Sequence, residues 1–275
     1  MPRPGTFTLL GVLLLALVQP VFAVLPVRMC IAEAEVFPLH RAAGTDTDRF
    51  PGLYFDAMRM ISQHSNLPLV AVRMPGRRCR FAMQNDTVDG IMTGSYRPER
   101  ERFARYPRLA SGDLDLSRRL LTSRYVLFAL RDSPVHWDGI TLRGIAAPIG
   151  VEPDFAIKPF LRNLGADTES ARDLRHNFQK LLFGRISAVA GFSDSGHALL
   201  QHFPQIRQIG PPLQVRHYFV LLSHHFYDLD PQRGETLWNA VRATRESSEF
   251  QRLDHLYRRA QAWPDQAAPE PEVRP

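Results

Sequence analysis

Cysteine is nearly missing from this chain: Cys30 and Cys79 are the only two in 275 residues. With no paired C-x-x-C spacing, the ribbon and finger types of zinc site are excluded, and the lack of H-E-x-x-H removes the zinc-protease pattern. A glycine-rich phosphate loop of the P-loop or dinucleotide type is also absent, so nucleotide chemistry of those kinds is excluded. Lysine is as scarce. Lys158 and Lys180 stand alone, and the excess of 34 basic over 28 acidic residues is carried almost wholly by arginine. Nucleic-acid binders gather such charge into a stripe with aromatics interleaved, whereas these arginines are spread out apart from a denser stretch between Arg73 and Arg108. Nucleic acid is therefore not an expected partner. There is no repeat of fixed period, and beyond the first residues no hydrophobic run is long enough to cross a membrane.

What is present reads as a globular protein. Hydrophobic residues make up 44% and charged residues 23%, far from the composition of disordered chains, and the length suits one large or two modest domains. Residues 1–23 have the pattern of a signal peptide cleaved after Ala23: Arg3 is the positive start, residues 6–18 are apolar and leucine-rich, and Val21-Phe22-Ala23 offers small cleavage positions. The alternative, an uncleaved anchor, is opposed by Gln19-Pro20 and by a run too short to span a bilayer. Cys30 follows Pro26-Val27-Arg28-Met29, which lacks the small residues of a lipoprotein site. In an exported chain the two cysteines allow one disulfide, Cys30 to Cys79; two buried reduced thiols are the alternative.

Along the mature chain the expected order is a strand at 24–31, a loop holding Phe37-Pro38, a helix at 54–65 with Phe55, Met58, Met60 and Ile61 at helical spacing, a strand at 69–73, a helix at 78–85 and a strand at 88–93. Such alternation implies a parallel sheet with helices on its faces, where ligands sit beyond the carboxyl ends of the strands. That places the Phe37 loop and the 93–100 loop at a candidate site. A second alternating unit follows: strands at 125–130 and 146–151, helices at 154–164 and from 178, a strand at 186–190, a helix at 198–203, a strand at 217–222 and one or two closing helices over 235–259. Two similar lobes are implied. Residues 264–275 hold four prolines and three acidic residues, and are expected to be disordered.

The segment Val88-Asp89-Gly90-Ile91-Met92-Thr93-Gly94-Ser95-Tyr96-Arg97-Pro98-Glu99-Arg100 carries the most specific pattern: an aspartate, a small apolar strand, hydroxyl residues, then Pro-Glu-Arg. Gly52-Leu53-Tyr54-Phe55-Asp56, Gly184-Arg185-Ile186-Ser187-Ala188 and Ser248-Glu249-Phe250-Gln251-Arg252-Leu253 flank it in order. In these motifs, and over nearly all of the mature chain, the protein resembles the periplasmic solute-binding proteins of the amino-acid-binding type, extracellular solute-binding protein family 3, the receptors that feed ABC importers. The resemblance implies a type II periplasmic-binding-protein fold of class α/β, with lobe 1 over 24–120 and 218–263, lobe 2 over 121–217, and hinge crossings near 120–123 and 214–218. It further implies a monomer in the periplasm with a small-molecule ligand, a membrane permease or sensor as partner, no cofactor, no metal and no catalysis.

For the ligand site the resemblance points to Arg100 as a bidentate grip on a carboxylate, with Ser95 and Thr93 adding hydroxyls and Phe37 covering the ligand. Arg97 stands where the family has threonine and is either a second anion contact or exposed. Phe192 falls where the family carries an aspartate for the ligand's ammonium group. Either Asp194 takes that role, or the ligand lacks an α-ammonium and Phe192 supplies apolar cover; the second is preferred. Glu152 and Asp154 sit where a helix start is expected, and would offset its dipole themselves. The run Gly191-Phe192-Ser193-Asp194-Ser195-Gly196 fails the nucleophile-elbow pattern at Ser195, and Ser193, Asp194 and His197 read as a helix-capping loop rather than a triad. His224-His225, taken as strand or surface residues, would not converge on one metal. Two rival functions remain: a dehydratase of the same fold using Glu152 or Asp194 as acid-base group, and a ligand-sensing partner of a membrane receptor.

Overall fold

The computed structural model describes residues 25–45, 50–153 and 155–259. The expected leader at 1–23 and tail at 264–275 lie outside the described residues, as does Asp154. Strand β1 (Val27–Ala32) is followed by α1 (Leu53–Ser65), β2 (Leu69–Met74), α2 (Gly76–Gln84) and β3 (Gly90–Ser95). β1 lies between β2 and β3 and is parallel to both, a pairing that requires crossover segments such as α1 and α2. Two short 3-10 helices, Pro98–Arg102 and Leu116–Arg118, lead into β4 (Leu121–Leu130). Next come the small ladder of β5 (His136–Trp137) and β6 (Leu142–Arg143), then β7 (Ile149–Val151), α3 (Lys158–Asn163), β8 (Thr168–Ser170), α4 (Leu174–Leu182), β9 (Ala188–Phe192) and α5 (Ser193–Leu200). Here β7 is the central strand, parallel to β8 and to β9.

The closing elements are β10 (Ile206–Leu222), α6 (His224–Leu229), α7 (Pro231–Glu246) and α8 (Ser248–Arg259). β10 joins the two parallel halves, running antiparallel to β3 at one end and to β4 along the rest, so the strand order is β2-β1-β3-β10-β4-β9-β7-β8. The chain is thus a mixed α/β protein whose parallel flanks are bridged by two long antiparallel strands.

Packing follows from the apolar spacing. α1 buries Leu53, Tyr54, Ala57, Met58, Met60 and Ile61 and stops at Asn66, whose left-handed conformation (φ 55°) ends the helix ahead of Pro68. α7 buries Leu237, Trp238 and Val241, and the Trp238 indole N–H donates to the Val220 carbonyl at 2.8 Å. Each large side chain buried this way contributes roughly 1.5–3 kcal/mol. α8 docks through Phe250 and Tyr257, and the Tyr257 hydroxyl donates to Asp56 at 2.9 Å.

Several expected elements are corrected. The strand expected at 217–222 is the end of the 17-residue β10; Gly210-Pro211-Pro212 hid its first part and is absorbed by a register shift between Ile209 and Gln214. The helix expected at 198–203 begins at Ser193. Its polar, glycine-containing start looks like a loop, but Gly196 is there for contact, because a Cβ on it would lie 2.0 Å from the Phe128 ring. His224 and His225 open α6 rather than a strand, under the cap of Ser223, whose Oγ accepts from Phe226 N at 3.0 Å. The helix expected at 154–164 shrinks to the six residues of α3, so Glu152 is not at its N-terminus.

Cys30 and Cys79 form a disulfide with a Cα–Cα distance of 5.7 Å, tying β1 to α2, which replaces the alternative of two reduced thiols. Closing a loop of this length restrains the unfolded chain, so a double Cys30→Ser, Cys79→Ser variant is expected to lose roughly 3–4 kcal/mol of stability. Urea denaturation of the oxidised protein and of the variant measures this, and coincident curves would contradict it.

Candidate functional site

Where the parallel halves face each other, a cavity of about 580 Å³ opens beyond the carboxyl ends of β1, β3, β7 and β9. Ligands of open α/β sheets bind at this location. One wall is the end of β3, Thr93-Gly94-Ser95, with Arg100 from the following 3-10 helix and Tyr54 from α1. The opposite wall holds Glu152, Phe155 and Phe192. Tyr125 of β4 and Tyr218 of β10 close the cavity where the bridging strands cross.

Arg100 is positioned by its own strand end. Its Nη1 donates to the Ser95 carbonyl at 2.8 Å and approaches Ser95 Oγ at 3.5 Å, while the Tyr106 hydroxyl holds the same carbonyl at 3.0 Å. Gly94 lets the guanidinium lie close, since a Cβ there would be 3.3 Å from Arg100 Nη1 and 2.5 Å from Leu221. Among the described residues no carboxylate pairs with Arg100. A half-buried guanidinium whose only partners are neutral oxygens keeps its charge available to an anion.

The tyrosines are neutral donors and acceptors. Thr93 Oγ1 donates to the Tyr54 hydroxyl at 2.7 Å, and the Tyr218 hydroxyl donates to that of Tyr125 at 3.1 Å. Burial pushes Tyr125 up to about 12 and raises Tyr54 and Tyr218 as well. Phe192 stacks on Tyr125 with centroids 4.8 Å apart and lies 4.8 Å from Phe155, so the second wall is a cluster of rings. His40, also at the cavity, is held neutral by burial, its pKa lowered to about 4.

Glu152 is the unusual member. It is 7% exposed, has no hydrogen-bond or ion-pair partner among the described residues, and its pKa is raised to about 8, first by burial and then by the charge of Asp173. It is therefore a neutral acid at pH 7.

Arg100, Ser95, Thr93 and Phe192 thus line one cavity, while three other expected residues stand outside it. Phe37 borders a neighbouring cavity of about 560 Å³, and its carbonyl accepts the Ser195 hydroxyl. Arg97 lies 3.7 Å from Glu99. Asp194, in the first turn of α5, pairs with Arg258 of α8, which leaves Ser193 and His197 to approach each other, at 3.4 Å, without it. Sequence reasoning missed Tyr54, Tyr125, Phe155 and Tyr218 as cavity residues. Three of these are aromatic residues on strands or helices whose inward direction only the assembled sheet reveals.

The sequence matches no protein-family model and no curated protein sequence. Solved structures share its fold. A histidine kinase sensor domain with similarity to periplasmic binding proteins aligns with a TM-score of 0.67 at 13% identity, over 84% of this chain and 95% of that one. The amino acid ABC transporter substrate-binding protein AbpA from Streptococcus pneumoniae, bound to L-arginine, aligns with a TM-score of 0.65 at 13% identity, over 85% and 95%. A mutant of ArgBP from T. maritima aligns with a TM-score of 0.63 at 14% identity, over 84% and 94%. The chain therefore has the type II periplasmic-binding-protein fold, a clamp architecture found both in importer receptors and in sensor domains. Among the described residues no helix is long and apolar enough to cross a membrane.

The raised pKa of Glu152 has a consequence for stability. Between the ordinary value of 4.5 and about 8, the folded protein holds a proton on this group that the unfolded chain has lost, so the group's contribution is full below pH 4.5 and declines as pH rises to about 8. The loss is on the order of 4 kcal/mol by pH 8. Glu152→Gln is expected to flatten that slope, which urea unfolding at pH 5, 6.5 and 8 reads directly; parallel slopes in both proteins would refute the assignment.

Proposed function

We propose that this protein is a periplasmic solute-binding protein that captures a small, polar, carboxylate-bearing ligand for an ABC importer and releases it unchanged. The observation that carries this reading is Arg100, an unpaired guanidinium on the wall of the cavity between the two halves. Its free edge can grip a carboxylate through two parallel hydrogen bonds, with the Ser95 and Thr93 hydroxyls beside it. Phe192 provides apolar cover where an ammonium-binding aspartate would otherwise stand. With Asp194 engaged by Arg258, the ligand is a carboxylate without an α-ammonium group.

In this proposal residues 24–120 and 218–263 make one lobe and 121–217 the other. The hinge lies at 120–123 and 214–218, where Leu121 pairs with Tyr218 and Ser123 with Arg216. Ligand held between two such surfaces is bound by its preference for the closed arrangement. Support comes also from structures of this fold described as substrate-binding proteins of amino acid ABC transporters.

Two other readings have specific observations behind them. A structure described as a histidine kinase sensor domain shares the fold, which fits a protein that reports occupancy to a membrane receptor. Glu152 in the cavity wall fits a dehydratase, in which case prolonged incubation would convert the ligand.

Mass spectrometry of gently extracted protein identifies what co-purifies, and calorimetry then measures its affinity. A carboxylate is expected, bound tenfold to about a hundredfold more weakly by Arg100→Lys, the loss of one charge-assisted bidentate contact. An unaltered affinity in that variant, or a bound molecule without an anionic group, would be decisive against the reading.

A further inference from the structure

The cavity wall opposite Arg100 holds a buried acid with no partner. Glu152 is 7% exposed, lines the cavity with Phe155 and Phe192, and makes no hydrogen bond or ion pair among the described residues. Buried polar groups are ordinarily paired, and an unpaired one facing a binding cavity marks a partner that arrives with the ligand. We infer that Glu152 is a specificity-determining hydrogen-bond donor, and that the ligand is a small monocarboxylate bearing, away from its carboxylate, a neutral acceptor such as a carbonyl that accepts a hydrogen bond from the Glu152 carboxyl. This rests on the anion-capturing role of Arg100.

The surroundings decide between a neutral acceptor and a cationic group. Ionisation of Glu152 is opposed by burial and by Asp173, and Asp173 itself is stabilised as an anion by hydrogen bonds from His176 and by Arg172. Arg172, which also borders the cavity, is turned to this partner at 3.2 Å and is largely exposed. His40 is held neutral by burial, and Tyr125, which feels the Glu152 charge, stays a phenol. Glu33, Arg77 and Arg80 border the cavity from the β1 and α2 side. A ligand cation would have to force Glu152 to ionise beside three aromatic rings; a carbonyl meets the acid in the state it already has. The cavity then carries positive charge at Arg100, with Arg77 and Arg80 at its β1 and α2 edge, and a neutral donor at Glu152, a pattern that selects anions over zwitterions. Above pH 8 Glu152 loses its proton, and the resulting carboxylate repels the anion.

Three matched probes test this by calorimetry on the full chain: 4-acetylbenzoate, with a distal acceptor; 4-ethylbenzoate, in which a methylene replaces the carbonyl; and 4-(aminomethyl)benzoate, with a distal cation. The acetyl compound is expected to bind at least about tenfold more tightly than either of the others at pH 7, and to weaken about tenfold between pH 7 and pH 9 as Glu152 ionises. Glu152→Gln, which keeps a donor but does not titrate, should bind it with an affinity independent of pH. Glu152→Leu should erase its advantage over the ethyl compound. Tightest binding of the aminomethyl compound, a pH profile unchanged by Glu152→Gln, or binding of none of the three would overturn the inference. If instead Arg100→Lys leaves all three affinities intact, it is the anion-capturing role that fails.

Discussion

Strands β4 and β10 are hydrogen-bonded to each other from Leu121 and Tyr218 at one end to Leu130 and Ile206 at the other, and the cavity exists because of that antiparallel pair. Only the bridging strands bring the carboxyl ends of the two sheets face to face. The same pair supplies Tyr125 and Tyr218, whose hydroxyls bond to each other at 3.1 Å and so satisfy, without charge, two polar groups that would otherwise be costly to bury.

The electrostatics of the cavity follow from how each ionisable group is held. Arg100 is supported by the carbonyl and hydroxyl of Ser95, oxygens that orient a guanidinium without neutralising it. Glu152 faces rings and the negative charge of Asp173, so it keeps its proton. Had Asp194 turned toward the cavity, a second acid would have joined it; instead that carboxylate is engaged by Arg258. The result is a pocket with a positive pole and an apolar opposite wall, which explains why Phe192 is accommodated at the end of β9.

Much of the architecture was legible because periodicity and alternation are local properties. The apolar spacing of Met58 and Ile61 fixed α1, and the strand-helix-strand order through Gly90 required a parallel sheet. Ser95, Thr93 and Arg100 lie in the 93–100 loop that strand-end reasoning places at a candidate site, while the roles of Arg100 and Phe192 come from the family resemblance; all four line the cavity. The failures are equally physical. Phe37 lies in a loop whose path depends on the contact with Ser195, and no pattern encodes that partner. From sequence Asp194 is only one of two alternatives for the ammonium contact, because the start of α5 looks like a loop; its pairing with Arg258 and the close approach of Gly196 to Phe128 are visible only in three dimensions. Glu152 is expected at a helix start that lies several residues later, so the pattern gives no sign of its burial.

The Asp194–Arg258 pair joins α5 to α8, and with the Ser195 hydroxyl on the Phe37 carbonyl it fastens one half to the other. Both side chains of the ion pair are about a quarter exposed, at 27% and 26%, so mobile ions in the surrounding medium can reach and screen them. Separation of α5 from α8 has to break this clasp. Ionic strength therefore weakens a link between α5 and α8 that neither helix could make alone.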